Sequence, residues 1–166
     1  MESIEKAANH QILQSMRIGV IGAGAWGKNH VRTLHEMDAL GVVVEMSDEL
    51  RGAAAEAYSD VPCVATLDEV LANPDLKDEI EAFVIATPAH THAAIGQMCL
   101  EAGKHVLIEK PMTLTVEDSE TLIRVAEEHQ RTLMVGHLLL FQPAIDFIRE
   151  YIYSGELGEV RTLHQV

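Results

Sequence analysis

The chain has 166 residues, of which 48% are hydrophobic and 4% aromatic, and its formal net charge is −14. This length and hydrophobic content predict one globular domain with a sizeable core. The acidic balance argues against binding to nucleic acid or to an anionic membrane surface, and the few aromatic residues argue against a stacking platform for single-stranded nucleic acid.

Cysteine usage and the chain start indicate the compartment. Cys63 and Cys99 lack the spacing of a metal site or a redox motif, which predicts free thiols in a reducing environment. No apolar run approaches a membrane span in length, and the acidic N-terminus lacks the apolar core of a secretory signal. We therefore expect a cytoplasmic protein in which residues 1–15 form a short N-terminal extension.

Short apolar stretches alternate with helical patterns along the rest of the chain. Strands are predicted over 17–21, 41–46, 63–66, 82–87, 105–110 and 132–137. Helices are predicted after the glycine-rich turn that follows the first strand, and then over 49–58, over 67–72, over 91–102 with a stop at Gly103, after Thr115, and up to Gly155. Thr115 and Asp118 resemble a capping box with Asp in place of the usual Glu. Residues 160–166 predict the opening of a further strand.

Apolar residues at helical spacing predict the faces that these helices bury. The predicted faces are Val31 with Leu34, then Leu122 with Ile123 and Ala126, then Ile145 with Ile148 and Ile152.

Six strands separated by helices predict an α/β fold, a doubly wound parallel sheet of the Rossmann type in the strand order 3-2-1-4-5-6. Ligands bind such sheets outside the carboxyl ends of the strands, where strands one and four meet. The loops "GAGAWG", "TPAHTH" and "EKPM" follow strands one, four and five, so we expect them to converge. We assign residues 16–155 to this domain and 156–166 to the start of a second one.

The first of these loops matches the pattern G-x-G-x-x-G at Gly22, Gly24 and Gly27. It follows a strand and opens a helix, which is the context that the dinucleotide-binding fingerprint requires. Gly22 allows the tight turn, Gly24 lets the backbone approach a pyrophosphate, and Gly27 permits close packing of helix and strand. The N–H groups of the helix N-terminus would face the anion.

An acid at the end of strand two completes the fingerprint by binding the ribose hydroxyls. Glu45 lies close to the expected distance of about 20 residues from the glycines, and Asp48 is the alternative. A carboxylate favours NAD over NADP because it repels a 2′-phosphate, although Arg51 nearby leaves NADP open. The non-functional alternative for Glu45 is a solvated charge at a strand end.

The loop after strand four carries Thr87, Pro88, His90 and His92. We expect Thr87 and Pro88 to form a wall beside the dinucleotide and His92 to face the crevice from the first helical turn. The alternative is an ordinary helix start that Thr87 or Thr91 caps. His90 and His92 lack a third ligand at a recognisable spacing, so we expect no metal site.

Three segments, "VIGAGAWGKNHVRTL", "ATPAHTH" and "VLIEKPMTLTVEDSETLI", resemble the Gfo/Idh/MocA oxidoreductases in their order and spacing, and the resemblance covers residues 16–166. It implies an NAD-dependent enzyme that transfers hydride between a nicotinamide cofactor and a sugar or nucleotide-sugar hydroxyl. The cofactor-binding residues that it implies are Gly22, Ala23, Gly24, Ala25, Trp26, Gly27, Glu45, Thr87, Pro88, His92, Glu109 and Lys110.

The resemblance also implies that Lys110 is the catalytic residue, beside the nicotinamide. A lysine can take a proton from the substrate hydroxyl, and its cation can stabilise the charge that develops on the oxygen. The alternative is a surface salt bridge with Glu109. Neighbouring side chains on a strand point to opposite faces, which disfavours that pair.

The segment from Gly136 to Val160 resembles the join to a second domain in family members that act on nucleotide-linked amino sugars, with Gln142 where that subgroup often has His. The resemblance implies that this second domain forms the substrate pocket and mediates homo-oligomerisation. We therefore expect either a piece of a longer oxidoreductase or a short protein that completes itself by pairing with another chain. The alternative function is a non-catalytic NAD-binding module with a regulatory or assembly role.

Overall fold

The computed structural model describes residues 16–162, so the predicted N-terminal extension lies outside the described residues. The chain divides into two compact units, Met1–Val135 and Gly136–Val166. The domain boundary that we predicted at residue 155 stays a prediction.

The first unit is built on a six-stranded sheet in the order β3-β2-β1-β4-β5-β6, and each pair of neighbouring strands is parallel. The strands are β1 Arg17–Ile21, β2 Leu40–Val44, β3 Cys63–Val64, β4 Ile80–Ile85, β5 His105–Ile108 and β6 Leu133–Val135. In the register, Ile21 at the end of β1 lies beside Val44 of β2 and Ile85 of β4. The order confirms the predicted doubly wound sheet, and it brings the carboxyl ends of these strands level.

Helices connect the strands of the first unit. They are α1 Gly27–Glu36, α2 Asp48–Ala57, α3 Leu67–Ala72, α4 Pro74–Glu79, α5 His92–Glu101 and α6 Val116–Glu128. Thr115 Oγ1 accepts a hydrogen bond from the Asp118 N–H at 3.1 Å, which confirms the predicted cap of α6. Gly103, with φ of +76°, follows the end of α5 as expected, because glycine adopts the left-handed conformation without strain.

The core consists of two clusters, one on each face of the sheet. Successive strand residues alternate between them: Val20 and Val43 belong to one cluster, whereas Ile21 and Val44 belong to the other. Helices α1 and α2 contribute to the first cluster, and α3, α5 and α6 contribute to the second. Both faces of the sheet are therefore covered, which explains the nearly continuous apolar runs of the strands.

Several element boundaries differ from the prediction. β4 begins and ends two residues earlier than predicted, and β5 stops at Ile108, so Glu109 and Lys110 follow the strand instead of belonging to it. The alternation of side chains along a strand therefore does not describe this pair. β2 ends at Val44, which leaves Glu45 directly beyond the strand.

Two helical features also differ. α4 was not predicted, although Asn73 accepts bonds from the Asp75 and Leu76 N–H groups and Pro74 occupies the first helical position. On α6, Leu122 and Ala126 are buried as predicted, but Ile123 is 47% exposed. A step of one residue turns the side chain by roughly 100° around a helix, and this takes Ile123 off the buried face.

The second unit contains a short 3₁₀ helix, Leu138–Phe141, and the helix α7, Pro143–Tyr153. α7 has the predicted apolar residues, but none of its residues is buried, and Ile148 is 46% exposed. The strand predicted over 160–166 is absent at 160–162, and its last four residues lie outside the described range. Across residues 16–162 no helix has the length and apolar composition that a membrane crossing requires.

Candidate dinucleotide site

The glycine loop, residues 22–27, joins the end of β1 to the start of α1. Gly22 has φ of +91°, a backbone conformation that glycine adopts without strain. A Cβ atom on Gly27 would lie 1.8 Å from the carbonyl oxygen of Gly22, so the helix packs directly against the turn. A Cβ on Gly24 would meet no atom within 4 Å. These three environments fit a tight turn, a close contact and an open approach for a ligand.

The N-terminus of α1 carries no capping side chain. Trp26 stands at the capping position without a side-chain hydrogen bond, and the first turn holds no acidic residue. Side chains do cap four other helices: Ser47 caps α2, Thr66 caps α3, Asn73 caps α4 and Thr115 caps α6. The first N–H groups of α1 thus lack a competing side-chain acceptor, and the helix dipole favours an anion there.

Glu45 connects the end of β2 to the glycine loop. Its Oε2 accepts a hydrogen bond from the Ala23 N–H at 2.6 Å, and its Oε1 accepts one from the Ser47 N–H at 2.9 Å. The alternative acid, Asp48, has a 94% exposed side chain that pairs with Arg51 at 2.5 Å. Of the two candidate acids, Glu45 is therefore the one that lies against the loop.

Several contacts hold Arg51 near Glu45. Its Nη1 donates to the carbonyl oxygen of Glu45 at 2.9 Å, and its Nη2 donates to Asp48. The guanidinium group is thus engaged within its own loop and helix.

The loop after β4 is tied to the loop after β5 through His92. This side chain is 1% exposed, and its Nε2 lies 2.8 Å from the carbonyl oxygen of Thr87 while its Nδ1 lies 2.9 Å from that of Pro111. Both ring nitrogens are therefore occupied by protein contacts and are not free to bind a metal. Thr91 Oγ1 donates to Thr87 Oγ1 at 2.7 Å and does not cap α5, so the predicted capping alternative is not formed by Thr91.

Glu109 and Lys110 have different environments. Glu109 is 6% exposed, and its Oε1 lies 2.8 Å from His30 Nε2. Lys110 is exposed and is joined to Pro111 by a cis peptide bond. Within residues 16–162 the Lys110 ammonium group forms no salt bridge, because the carboxylate of Glu109 turns to His30 instead. The surface ion pair that we considered between Glu109 and Lys110 is therefore absent from the described chain.

His30 was not among the predicted site residues. It follows Gly27 by three positions on α1, so it lies nearly one helical turn beyond the glycine loop. The sequence signal was its helical spacing from that loop, and its carboxylate partner lies 79 positions away along the chain.

The glycine loop, the acid after β2 and the two loops after β4 and β5 form one continuous edge of the sheet. The family GFO_IDH_MocA, described as an oxidoreductase family with an NAD-binding Rossmann fold, matches residues 16–137. The chain belongs to the Gfo/Idh/MocA oxidoreductase family. This membership confirms the resemblance, the fold class and NAD as the cofactor of the family.

Relatives of this Gfo/Idh/MocA chain include two curated dehydrogenases. The chain is 36% identical over 137 residues to the UDP-N-acetylglucosamine 3-dehydrogenase of Acidithiobacillus ferrooxidans. This alignment covers 81% of the chain and 41% of that enzyme. The chain is also 32% identical over 157 residues to inositol 2-dehydrogenase 1 of Saccharopolyspora erythraea. This alignment covers 92% of the chain and 45% of that enzyme.

A solved dehydrogenase structure has a similar fold over the aligned residues. The WlbA dehydrogenase of Bordetella pertussis, in complex with NADH and UDP-GlcNAcA, aligns with a TM-score of 0.77 at 26% identity, over 87% of this chain and 43% of that one. The chain thus spans less than half the length of these relatives.

Proposed function

We propose that this chain is the NAD-binding part of an oxidoreductase that transfers hydride between a nicotinamide cofactor and a hydroxyl group of a sugar or nucleotide sugar. The observation that carries the proposal is the uncapped N-terminus of α1 beside the open position at Gly24, with the carboxylate of Glu45 next to it. The N–H groups of the helix N-terminus suit a pyrophosphate, and the carboxylate beside them can accept hydrogen bonds from the hydroxyl groups of the adjoining ribose.

The sheet order supports a direction for the cofactor. In a doubly wound sheet a dinucleotide crosses the switch point, with one half over each side. Glu45 lies on the β2 side and suits the adenosine ribose, while Thr87 and Pro88 lie after β4 on the other side. The nicotinamide half would then lie beside Thr87, Pro88 and Lys110, and the residues Ala23, Ala25 and Trp26 would line the pyrophosphate.

Two contacts support NAD in preference to NADP. The Glu45 carboxylate beside the loop would repel a 2′-phosphate, and the Arg51 guanidinium is already paired with Asp48 and with a backbone carbonyl. The cation that could have bound the extra phosphate is thus committed within the protein.

Lys110 is the proposed catalytic residue. A bound nicotinamide would supply the acceptor for the hydride of the carbinol carbon. Lys110, which is exposed and lies two residues after the end of β5, would receive the hydroxyl proton and stabilise negative charge on the oxygen. Sugar and nucleotide-sugar hydroxyls are the proposed substrates because the curated relatives named above are dehydrogenases of UDP-N-acetylglucosamine and inositol.

Calorimetric titration of the chain with NADH tests the cofactor site. We expect wild-type protein to bind and Gly24→Val to weaken binding by more than about 100-fold, equivalent to roughly 2.7 kcal/mol, because the new side chain fills the open position. Gly52→Val is the matched control, since Gly52 also has no neighbour within 4 Å but lies on α2. Unchanged NADH affinity in Gly24→Val, or equal losses in both variants, would reject the site.

A further inference from the structure

Only two polar or charged side chains are buried within residues 16–162, and both hold the same turn. We name residues 109–111 the lysine turn, because Lys110 stands at its centre. Glu109 belongs to the turn, and His92 contacts it from α5. Buried polar groups are costly unless they are hydrogen-bonded, so the two side chains restrict where the turn can lie.

The first contact ties the lysine turn to α1. His30 Nε2 lies 2.8 Å from Glu109 Oε1, and the side chains are 21% and 8% exposed, respectively. The other carboxylate oxygen of Glu109 accepts from the Lys110 N–H at 3.3 Å. Because a nearly buried carboxylate loses much of its hydration, removal of its imidazole partner leaves it poorly satisfied.

The second contact ties the turn to the loop after β4. His92 lies between the carbonyl oxygens of Thr87 and Pro111, and the Glu109 N–H donates to the carbonyl oxygen of Ile85 at 2.9 Å. These contacts fix the turn against β4 but do not reach α1. The pair of His30 and Glu109 therefore supplies the link between the lysine turn and the helix that begins at the glycine loop.

These positions bear on the predicted role of Glu109, which stays a prediction. The resemblance implied a cofactor contact, yet the carboxylate faces His30 and the Lys110 N–H and is almost inaccessible to a ligand. An effect of Glu109 on a cofactor would then pass through the backbone that carries Lys110.

We propose that His30, acting through Glu109, is a positioning residue that sets the lysine turn against the nicotinamide half of the bound cofactor. The inference rests on the proposed function. In the proposed orientation the adenosine half would lie on the β2 side of the sheet, so its binding would not depend on this contact. A contact that only stabilised the domain would affect both halves alike.

The experiment compares NADH with ADP-ribose, which lacks the nicotinamide, in calorimetric titrations of the chain. We expect wild-type protein to bind NADH more tightly than ADP-ribose. His30→Ala should weaken NADH about tenfold, the size of one lost hydrogen bond to a charged group, and ADP-ribose less than about twofold. His30→Gln, whose amide N–H can donate to Glu109, should restore most of the NADH affinity.

His35→Ala is the matched control, because it removes another imidazole–carboxylate contact of α1, the one between His35 Nε2 and Asp60 Oδ1 at 3.3 Å. It should change neither affinity. If His30→Ala does not fold, His30→Asn, which stays polar but is too short to reach Glu109, should show the same selective loss.

The outcomes separate the two proposals. Equal losses for both ligands, no loss for NADH, or equal wild-type affinities for NADH and ADP-ribose would overturn the positioning role while the cofactor site stands. Failure of wild-type protein to bind either ligand would reject the proposed function, and the positioning role with it.

Discussion

Replacement of Gly27 by alanine tests how tightly α1 packs on the glycine loop. The added Cβ would lie 1.8 Å from the carbonyl oxygen of Gly22 and 2.7 Å from its carbonyl carbon. Real Cβ atoms do not approach heavy atoms within 3.0 Å, so the loop or the helix must move by at least 3.0 − 1.8 = 1.2 Å. The atoms in the way belong to the backbone, and no side-chain rotation can relieve the contact.

The expected cost follows from two opposing effects. Overpacking of this kind costs about 1–3 kcal/mol. Alanine is favoured over glycine inside a helix by up to about 1 kcal/mol, but less at the first helical position. We expect a net loss of about 2 kcal/mol, which for a chain of this size lowers the melting temperature by roughly 4–8 °C.

Denaturant and thermal unfolding followed by circular dichroism would measure this loss. Gly52→Ala is the control, because Gly52 lies inside α2 with no atom within 4 Å of the new Cβ. That variant should gain up to about 1 kcal/mol from helix propensity alone. If Gly27→Ala were as stable as wild type, the close contact between helix and loop would be refuted.

Two further predictions concern Lys110 and Cys99. In a longer form of the protein that oxidises a sugar, Lys110→Ala should lower kcat by about 10²–10⁴-fold with NADH affinity nearly unchanged. Steady-state kinetics and titration would measure the two quantities, and a wild-type kcat would remove Lys110 from the mechanism. Burial raises the pKa of the Cys99 thiol from 9.0 to about 12, so between these values the folded protein keeps a proton that the unfolded chain releases. The free energy of unfolding should therefore fall as pH rises. Between about pH 8 and 10 the fall should be roughly 1 kcal/mol larger in wild type than in Cys99→Ala. Urea unfolding at each pH would measure it, and an equal fall in the two proteins would contradict this prediction.

Much of the fold was predictable because local patterns and the global topology agree. The run Val42–Val44 is buried on both faces of a parallel sheet, and its unbroken apolar character predicted this burial. The glycine spacing was equally informative. Gly22 has a positive φ, Gly27 leaves no room for a Cβ, and Gly24 keeps an open position. The sequence placed Glu45 near the end of strand two, and β2 ends immediately before it, while its role at a cofactor stays a prediction.

The rest depends on contacts that a linear pattern does not contain. The pairing of His30 with Glu109 joins α1 to the residue that follows β5, and only the folded sheet brings the two side chains together. The end of β5 at Ile108 is another such case, because the charged pair that follows is positioned by tertiary contacts. α4, by contrast, had a local signal in Asn73 and Pro74 that the prediction overlooked.

The uncapped start of α1 has a thermodynamic consequence for the unliganded protein. A Ser, Thr or Asn cap contributes about 1 kcal/mol to a helix, and four other helices of the first unit have one. At Trp26 the chain forgoes that contribution. A side-chain oxygen there would compete with an anion for the same N–H groups. Stability of the empty domain and affinity for a phosphate ligand are thus in a trade-off at a single position.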